Sequence, residues 1–427
     1  MERPDVTVTR EERMILRELA KRQAEIAALP EMVERRNWWY DLNDGKTGRP
    51  LVTMEFHGLA RDVYPPPACE NEFAKTLEWQ MSQLIFKHEH YRDDRVIPGS
   101  IMINVQNRFT PFGYKFDSYH ADSAGGAETL GYMYTHPVND LEADFGVFAP
   151  STYYVDVEFV KSNYLKACAE EILGDILPVR LQSPAFNFGP AGDLIRMMSM
   201  ETMFCSIMDY PNLFHKVMRR ITDDCHAYMD AIEAADALLP NNDESNVPMD
   251  TYGYTHDLPG IDASAGGRPI KFCDTWGYGN SQETVGMSVA MFDEFFFSYV
   301  EEIFNRFGLI SYGCCEPVHT LWDRCLSRLK NIRKVSISAW CNEEMMGEAL
   351  RGKKVVYQRK PFPNLIAVDS VFDEAAFLKH MERTCRAARG CPLEVTFRDV
   401  TSVRGEPRRL TRAVELTREA FDKYWQG

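Results

Sequence analysis

Residues 308–340 read GLISYGCCEPVHTLWDRCLSRLKNIRKVSISAW. Two short apolar, β-rich runs, GLISYG (308–313) and RKVSISAW (333–340), flank a helical candidate at 317–329. Strand, helix and strand in so short a stretch make a parallel β-α-β unit. Gly313 lets the chain turn at the end of the first run, and Pro317 suits the first turn of a helix.

Outward from this unit the alternation repeats. The strand candidates are LVTMEF (51–56), SIMINV (100–105), VRLQSPAF (179–186), RPIKFCDTW (268–276), the two runs above, KVVYQRK (354–360) and LEVTFR (393–398). Helical segments lie between them at 70–88, 161–173, 190–237 (with a break near Tyr210-Pro211), 288–306, 343–351, 372–388 and 407–425. Eight strands each followed by helix predict a (β/α)8 TIM barrel of the α/β class. An open doubly wound sheet is the competitor, but no G-x-G-x-x-G follows a first strand. An amphipathic helix at 11–29 and a shorter one at 31–39 form an N-terminal extension, residues 1–45, ahead of a barrel spanning 46–427. Two segments break the alternation, 106–160 and 238–267. They are expected as insertions over the C-terminal mouth, or else as surface decoration.

Composition narrows the function classes. The 427 residues are 45% hydrophobic and 26% charged, ordinary for a globular protein. A formal net charge of -15 repels polyanions, and no basic stripe offsets it, so nucleic acid is not an expected partner. No apolar run approaches a membrane span, and the polar start MERPDVTVTREERM has no leader character, which makes a cytoplasmic location the expectation. Eleven scattered cysteines, an odd number, read as free thiols in a reducing compartment.

In a parallel barrel the active site lies at the carboxyl ends of the strands. There the sequence places Glu55 and His57, Asn104, Trp276, Glu283, Cys314 to His319, Arg359 and Lys360, and Arg398 and Asp399. The richest cluster is SYGCCEPVHTLWD. A thiolate pair (Cys314, Cys315), a carboxylate (Glu316) and an imidazole (His319) are the donor types of a zinc shell. The alternative has Glu316 capping a helix start, His319 on the surface and both thiols packed. Glu283, Asp399, Glu55 and His57 are the candidate catalytic groups, and Asn104, Trp276 and Arg398 the candidate substrate contacts. For Asp399 an ion pair with a neighbouring arginine, and for Glu283 a helix-start preference, remain equally open.

The stretch NFGPAGDLIRMMSMETMFCSIMDYPNLFHKVMRRITDDCHAYMDA, with Gly189-Pro190 and Asp209-Tyr210-Pro211, resembles the uroporphyrinogen decarboxylase and corrinoid methyltransferase superfamily. SVAMFDEFFFSYVEEIFNRFG and the closing half from residue 333 follow the same order and spacing. The resemblance implies the TIM barrel. It does not extend to the namesake reaction. The first-strand loop VTMEFHGLARDVYPPP holds one arginine in place of an arginine-rich clamp, the branch's strand-2 aspartate falls near Asn104, and its final histidine near Asp399. In the methyltransferase branch a zinc motif falls on Gly313–Glu316 and a last cysteine ligand on Asp399. The resemblance therefore implies a zinc-dependent demethylase component. It would move a methyl group from a small O- or N-methylated substrate to a corrinoid held by a partner protein. Glu316, His319, Glu283 or Asp399 would complete the ligand set. A homodimer stays open. The alternatives are a decarboxylase or lyase that anchors a small carboxylic acid with Arg359, Lys360 and Arg398, or a binding protein on the same scaffold.

Overall fold

The computed structural model describes residues 5–55, 63–116, 118–120, 132–157, 164–183, 186–243, 246–247, 251–260, 268–367 and 371–426. The principal strands are β1 (Leu51–Met54), β2 (Ile101–Asn104), β3 (Val179–Gln182), β4 (Phe186–Asn187), β5 (Trp276–Gly279), β6 (Leu309–Tyr312), β7 (Ile332–Ile337), β8 (Val356–Arg359) and β9 (Leu393–Phe397). Seven of them form one sheet in the order β1-β9-β8-β7-β6-β5-β4, parallel throughout. β2 and β3 form a separate parallel pair.

Period-two alternation sorts this sheet into two chemically distinct faces. Val52, Met54, Ile310, Tyr312, Val335, Ile337, Tyr357, Val395 and Phe397 join the main apolar core with the helices. The opposite face carries Thr53, Ser311, Lys334, Ser336, Gln358, Glu394 and Thr396, all buried. This buried polar face is the inner side of the sheet.

Among the described residues no ladder joins β1 to β2. The free edge of β1 is met instead by residues 93–95. The N–H groups of Val52 and Met54 donate to Asp94 Oδ2 and Asp93 Oδ2, each at 2.9 Å. Arg95 donates to Met54 O at 2.8 Å. Two carboxylates and a guanidinium thus satisfy an edge that a strand would otherwise cover.

The N-terminal helices are α1 (Arg10–Ala27) and α2 (Pro30–Asn43). A capping box between Thr9 and Glu12 starts α1. Its face of Leu16 and Ala20 packs with Phe73, Leu77, Ile101 and Ile103 over the β2–β3 pair. Pro30 sits at the first turn of α2, which runs four residues beyond the expected end at 39. Further on, α3 (Pro190–Met197) follows β4, and α4 (Pro211–Ala234) is the long helix of the middle third. No described helix is long and apolar enough to cross a membrane.

Four expectations are corrected. The expected strand VRLQSPAF divides into β3 and β4, which belong to different sheets. The strand expected at 268–276 begins at Trp276, and 272–274 form a helical turn before it. The helix expected at 317–329 is two short turns, Val318–Thr320 and Leu326–Arg328. Last, the described part of 238–267 does not cover the C-terminal mouth. Tyr252 and Tyr254 pack with Trp39, Leu51 and Val356, at the amino ends of the strands. The segment follows a helix, so it emerges where strands begin. The 106–160 segment, in contrast, follows a strand and leaves from a carboxyl end.

Candidate active site

The site grows from the turn after β6. Gly313 has φ +104°, a conformation open to glycine, and turns the chain into Cys314-Cys315-Glu316. Glu316 is 1% exposed. Its Oε1 accepts the Ser281 N–H at 2.9 Å and its Oε2 the Cys314 N–H at 2.8 Å. This carboxylate ties the β5 and β6 ends together. Burial pushes its pKa up.

Lys360, the residue after β8, points inward and is buried. Its Nζ donates to Cys314 O at 3.1 Å and lies 3.6 Å from Cys314 Sγ, 3.8 Å from Cys315 Sγ and 3.7 Å from Asp399 Oδ2. The two sulfurs are 3.6 Å apart. Either sulfur can donate to the other; with Cys314 as the donor, that bond and the Lys360 ammonium hold the Cys315 thiol below its usual value, at about 7, against the opposing effect of burial. The Cys314 thiol goes up, because it is the donor of that pair and is buried.

Asp399 is fixed from the other side. Its backbone is left-handed (φ +61°). Its N–H donates to Glu55 Oε2 at 2.6 Å. Glu55 Oε1 also faces Arg398 Nη2 at 3.3 Å, and the Glu55 N–H continues the β1–β9 ladder to Phe397 O at 2.8 Å. Cys314, Cys315, Asp399, Glu55 and Arg398 therefore converge on one rim, around Lys360.

The other expected residues stand apart. His319 turns away, and its Nδ1 accepts the Asn342 N–H at 3.2 Å. Glu283 lies against α3, with Oε1 3.5 Å from where a Cβ on Gly192 would sit. Asn104 is exposed at the end of β2 and accepts from Gln182 Nε2 at 2.6 Å. Trp276 is a correction: it is fully buried at the start of β5, donates its indole N–H to Gly253 O at 2.8 Å, and so occupies the opposite end of the strands. His57 lies outside the described residues.

The expected four-residue zinc shell does not fit this arrangement. Two thiolates on a tetrahedral zinc stand about 3.8 Å apart, close to the spacing of Cys314 and Cys315. Glu316, however, already accepts two backbone N–H groups below the rim, and His319 faces the 341–342 turn. No group of three or more His, Cys, Asp or Glu placed to hold a metal occurs among the described residues. The cation nearest both sulfurs is Lys360. Sequence reasoning cast Lys360 only as a carboxylate anchor. The alternation in KVVYQRK, which sets Val356, Gln358 and Lys360 on one face, is the signal that brings it to the thiols.

No protein-family model and no curated protein sequence matches the chain. Among solved structures it is similar to a methyltransferase from Methanosarcina mazei, with 11% identity, a TM-score of 0.48, and coverage of 91% of this chain and 98% of the other.

Proposed function

We propose that the chain moves a methyl group from a small O- or N-methylated compound to a corrinoid carried by a partner protein. In this reading the seven-stranded sheet and the β2–β3 pair are parts of one (β/α)8 barrel. The observation that carries it is an ionisable thiol beside a buried ammonium at the strand ends: Cys315, with Lys360 Nζ at 3.8 Å. The thiolate, not the thiol, is the nucleophile, and Cys315 is poised to ionise near neutral pH. Its sulfur attacks the methyl carbon. An S–C bond forms, the C–O or C–N bond breaks, and the heteroatom leaves with the electron pair and takes a proton from the Lys360 ammonium. A corrinoid on a partner would supply a reduced cobalt nucleophile able to accept the methyl group, which would leave Cys315 as the thiolate; Lys360 regains its proton from solvent. Asp399 positions Lys360, and Glu55 positions Asp399.

The test uses 13C-methyl-labelled O- and N-methyl donors with the full chain and no acceptor present. The Cys315 peptide should gain one labelled methyl, and Cys315→Ser should abolish that gain and, once a corrinoid acceptor protein is added, the turnover. Full turnover by Cys315→Ser overturns the reading. A second reading, decarboxylation or lysis of a small carboxylic acid, is favoured by one observation: Lys360 and Arg398 end the adjacent strands β8 and β9 on the inner side. Substrate-dependent CO2 release without an acceptor would select it.

A further inference from the structure

A cavity of about 190 Å³ lies between α4 and the break that separates β3 from β4. Phe186, one of its walls, pairs with Gly277, where an added Cβ would strike Phe307 of the helix layer. Neither Cys314 nor Cys315 lines the cavity, so it is distinct from the thiol pair.

The cavity has an aromatic wall of Phe109, Phe186, Tyr228 and Phe272. Phe109 stacks on Tyr228 with centroids 5.3 Å apart, and Phe186 meets Phe272 at 5.3 Å. The same cavity is lined by Asp193 of α3. Its neighbouring cation, Arg196, is 3.6 Å away. Burial, with a smaller push from Glu283 and against the pull of Arg196, raises the Asp193 carboxyl to about 7. Beside it Glu283 Oε2 is buried without a hydrogen-bond partner. Two carboxylates therefore lie near each other, and the one that lines the aromatic pocket, Asp193, has a single arginine beside it.

Ring faces and carboxylates both attract positive charge. A hard metal ion would find too few open oxygens here: Asn107 Oδ1 and Ser183 Oγ already accept the Asp156 and Leu239 N–H groups, and apart from Asn187 the rest of the lining is ring, thiol and aliphatic surface. A neutral apolar ligand would gain nothing from the Asp193 carboxyl, whereas a cation would favour its charged form. A cation with an apolar surface satisfies both halves. We propose that this cavity binds a small organic cation, an ammonium bearing methyl groups, with Asp193 facing the charge and Tyr228, Phe186 and Phe109 contacting the methyls. The proposal is independent of the chemistry at Cys315.

Isothermal titration of the full chain with choline, and with its neutral carbon isostere 3,3-dimethylbutan-1-ol, tests it. Choline should bind and the isostere should bind at least roughly tenfold more weakly. Asp193→Asn should lower choline affinity by a similar factor at an unchanged unfolding temperature. Tyr228→Phe should keep binding, and Tyr228→Leu should lose it. Cys315→Ser should bind choline as the wild type does, which separates this site from the methyl-transfer reading. No choline binding, equal binding of the isostere, or an unaffected Asp193→Asn overturns the proposal.

Discussion

Lys334 and Lys360 lie on the inner side of the same sheet, one near the start of β7 and one just past the end of β8. Lys334 is fully buried and surrounded by hard oxygen acceptors. Its Nζ donates to Thr251 Oγ1 at 2.5 Å and sits 3.2 Å from Glu394 Oε2, over the rings of Trp39 and Trp276 at 5.1 and 5.8 Å. Glu394 in turn accepts from Thr251 and Thr396. Lys360 faces one carbonyl, two soft sulfurs and a carboxylate on a half-exposed side chain. At the strand starts the loop that carries Thr251 supplies the lysine with an oxygen acceptor and ties it to Glu394. The strand ends keep an ammonium beside two thiols and a half-exposed carboxylate. One residue type is locked among oxygens at one end and faces ionisable sulfur at the other, and the difference lies in the acceptors around it.

Three substitutions test this contrast. The largest effect is expected from Lys334→Met, which leaves Glu394 charged and unpaired in the interior. The cost is about 3–5 kcal/mol in urea unfolding, and adding Glu394→Gln should recover much of it. A loss below about 1 kcal/mol would show that the seal is not a unit. Next, Lys360→Met should change stability far less and reactivity far more. In the wild type, alkylation of Cys315 by iodoacetamide should rise as pH passes about 7, because the thiolate is favoured in the fold. Without the ammonium that midpoint should move to higher pH and the rate at neutral pH should fall, as read by mass spectrometry of the Cys315 peptide. An unmoved midpoint would break the contrast. The smallest effect belongs to Asp399→Gly. Relief of the left-handed backbone should raise stability by about 1 kcal/mol or less, measured as a higher Tm. A lower Tm would mean that the contact with Lys360 outweighs the strain.

Much of the sheet was legible because β-branched runs such as KVSIS and LEVTF alternate cleanly. β5 was not. Its sequence, WGYG, has two glycines, which argue against a strand by propensity. They are required there because a Cβ would come within 2.6 Å of Phe307 at Gly277 and 2.1 Å of Phe304 at Gly279. Tertiary packing overrides local preference. In 317–329 the apolar positions Val318, Leu321, Trp322, Cys325 and Leu326 are all buried, so the periodicity was real. Periodicity reports which side is buried, not which carbonyl each N–H reaches, and the bonds here run irregularly. At the candidate site, residue types picked out stretches that meet at one rim, but roles did not follow from type. Glu316 looks like a ligand in sequence, and only its two backbone donors reveal a brace. Asp193 gave no signal, since one acidic residue in a first helical turn is commonplace.

The Asp93–Asp94 seam has a consequence for how copies of the chain meet. An exposed strand edge is an invitation to add a strand from another molecule. Here both outward N–H groups of β1 are already taken by carboxylates, which place negative charge where an incoming backbone would need to dock. The Asp94 N–H also donates to Val52 O, and β1, Asp93 and Asp94 are all buried, so side chains and backbone together close this line of the sheet to an incoming strand.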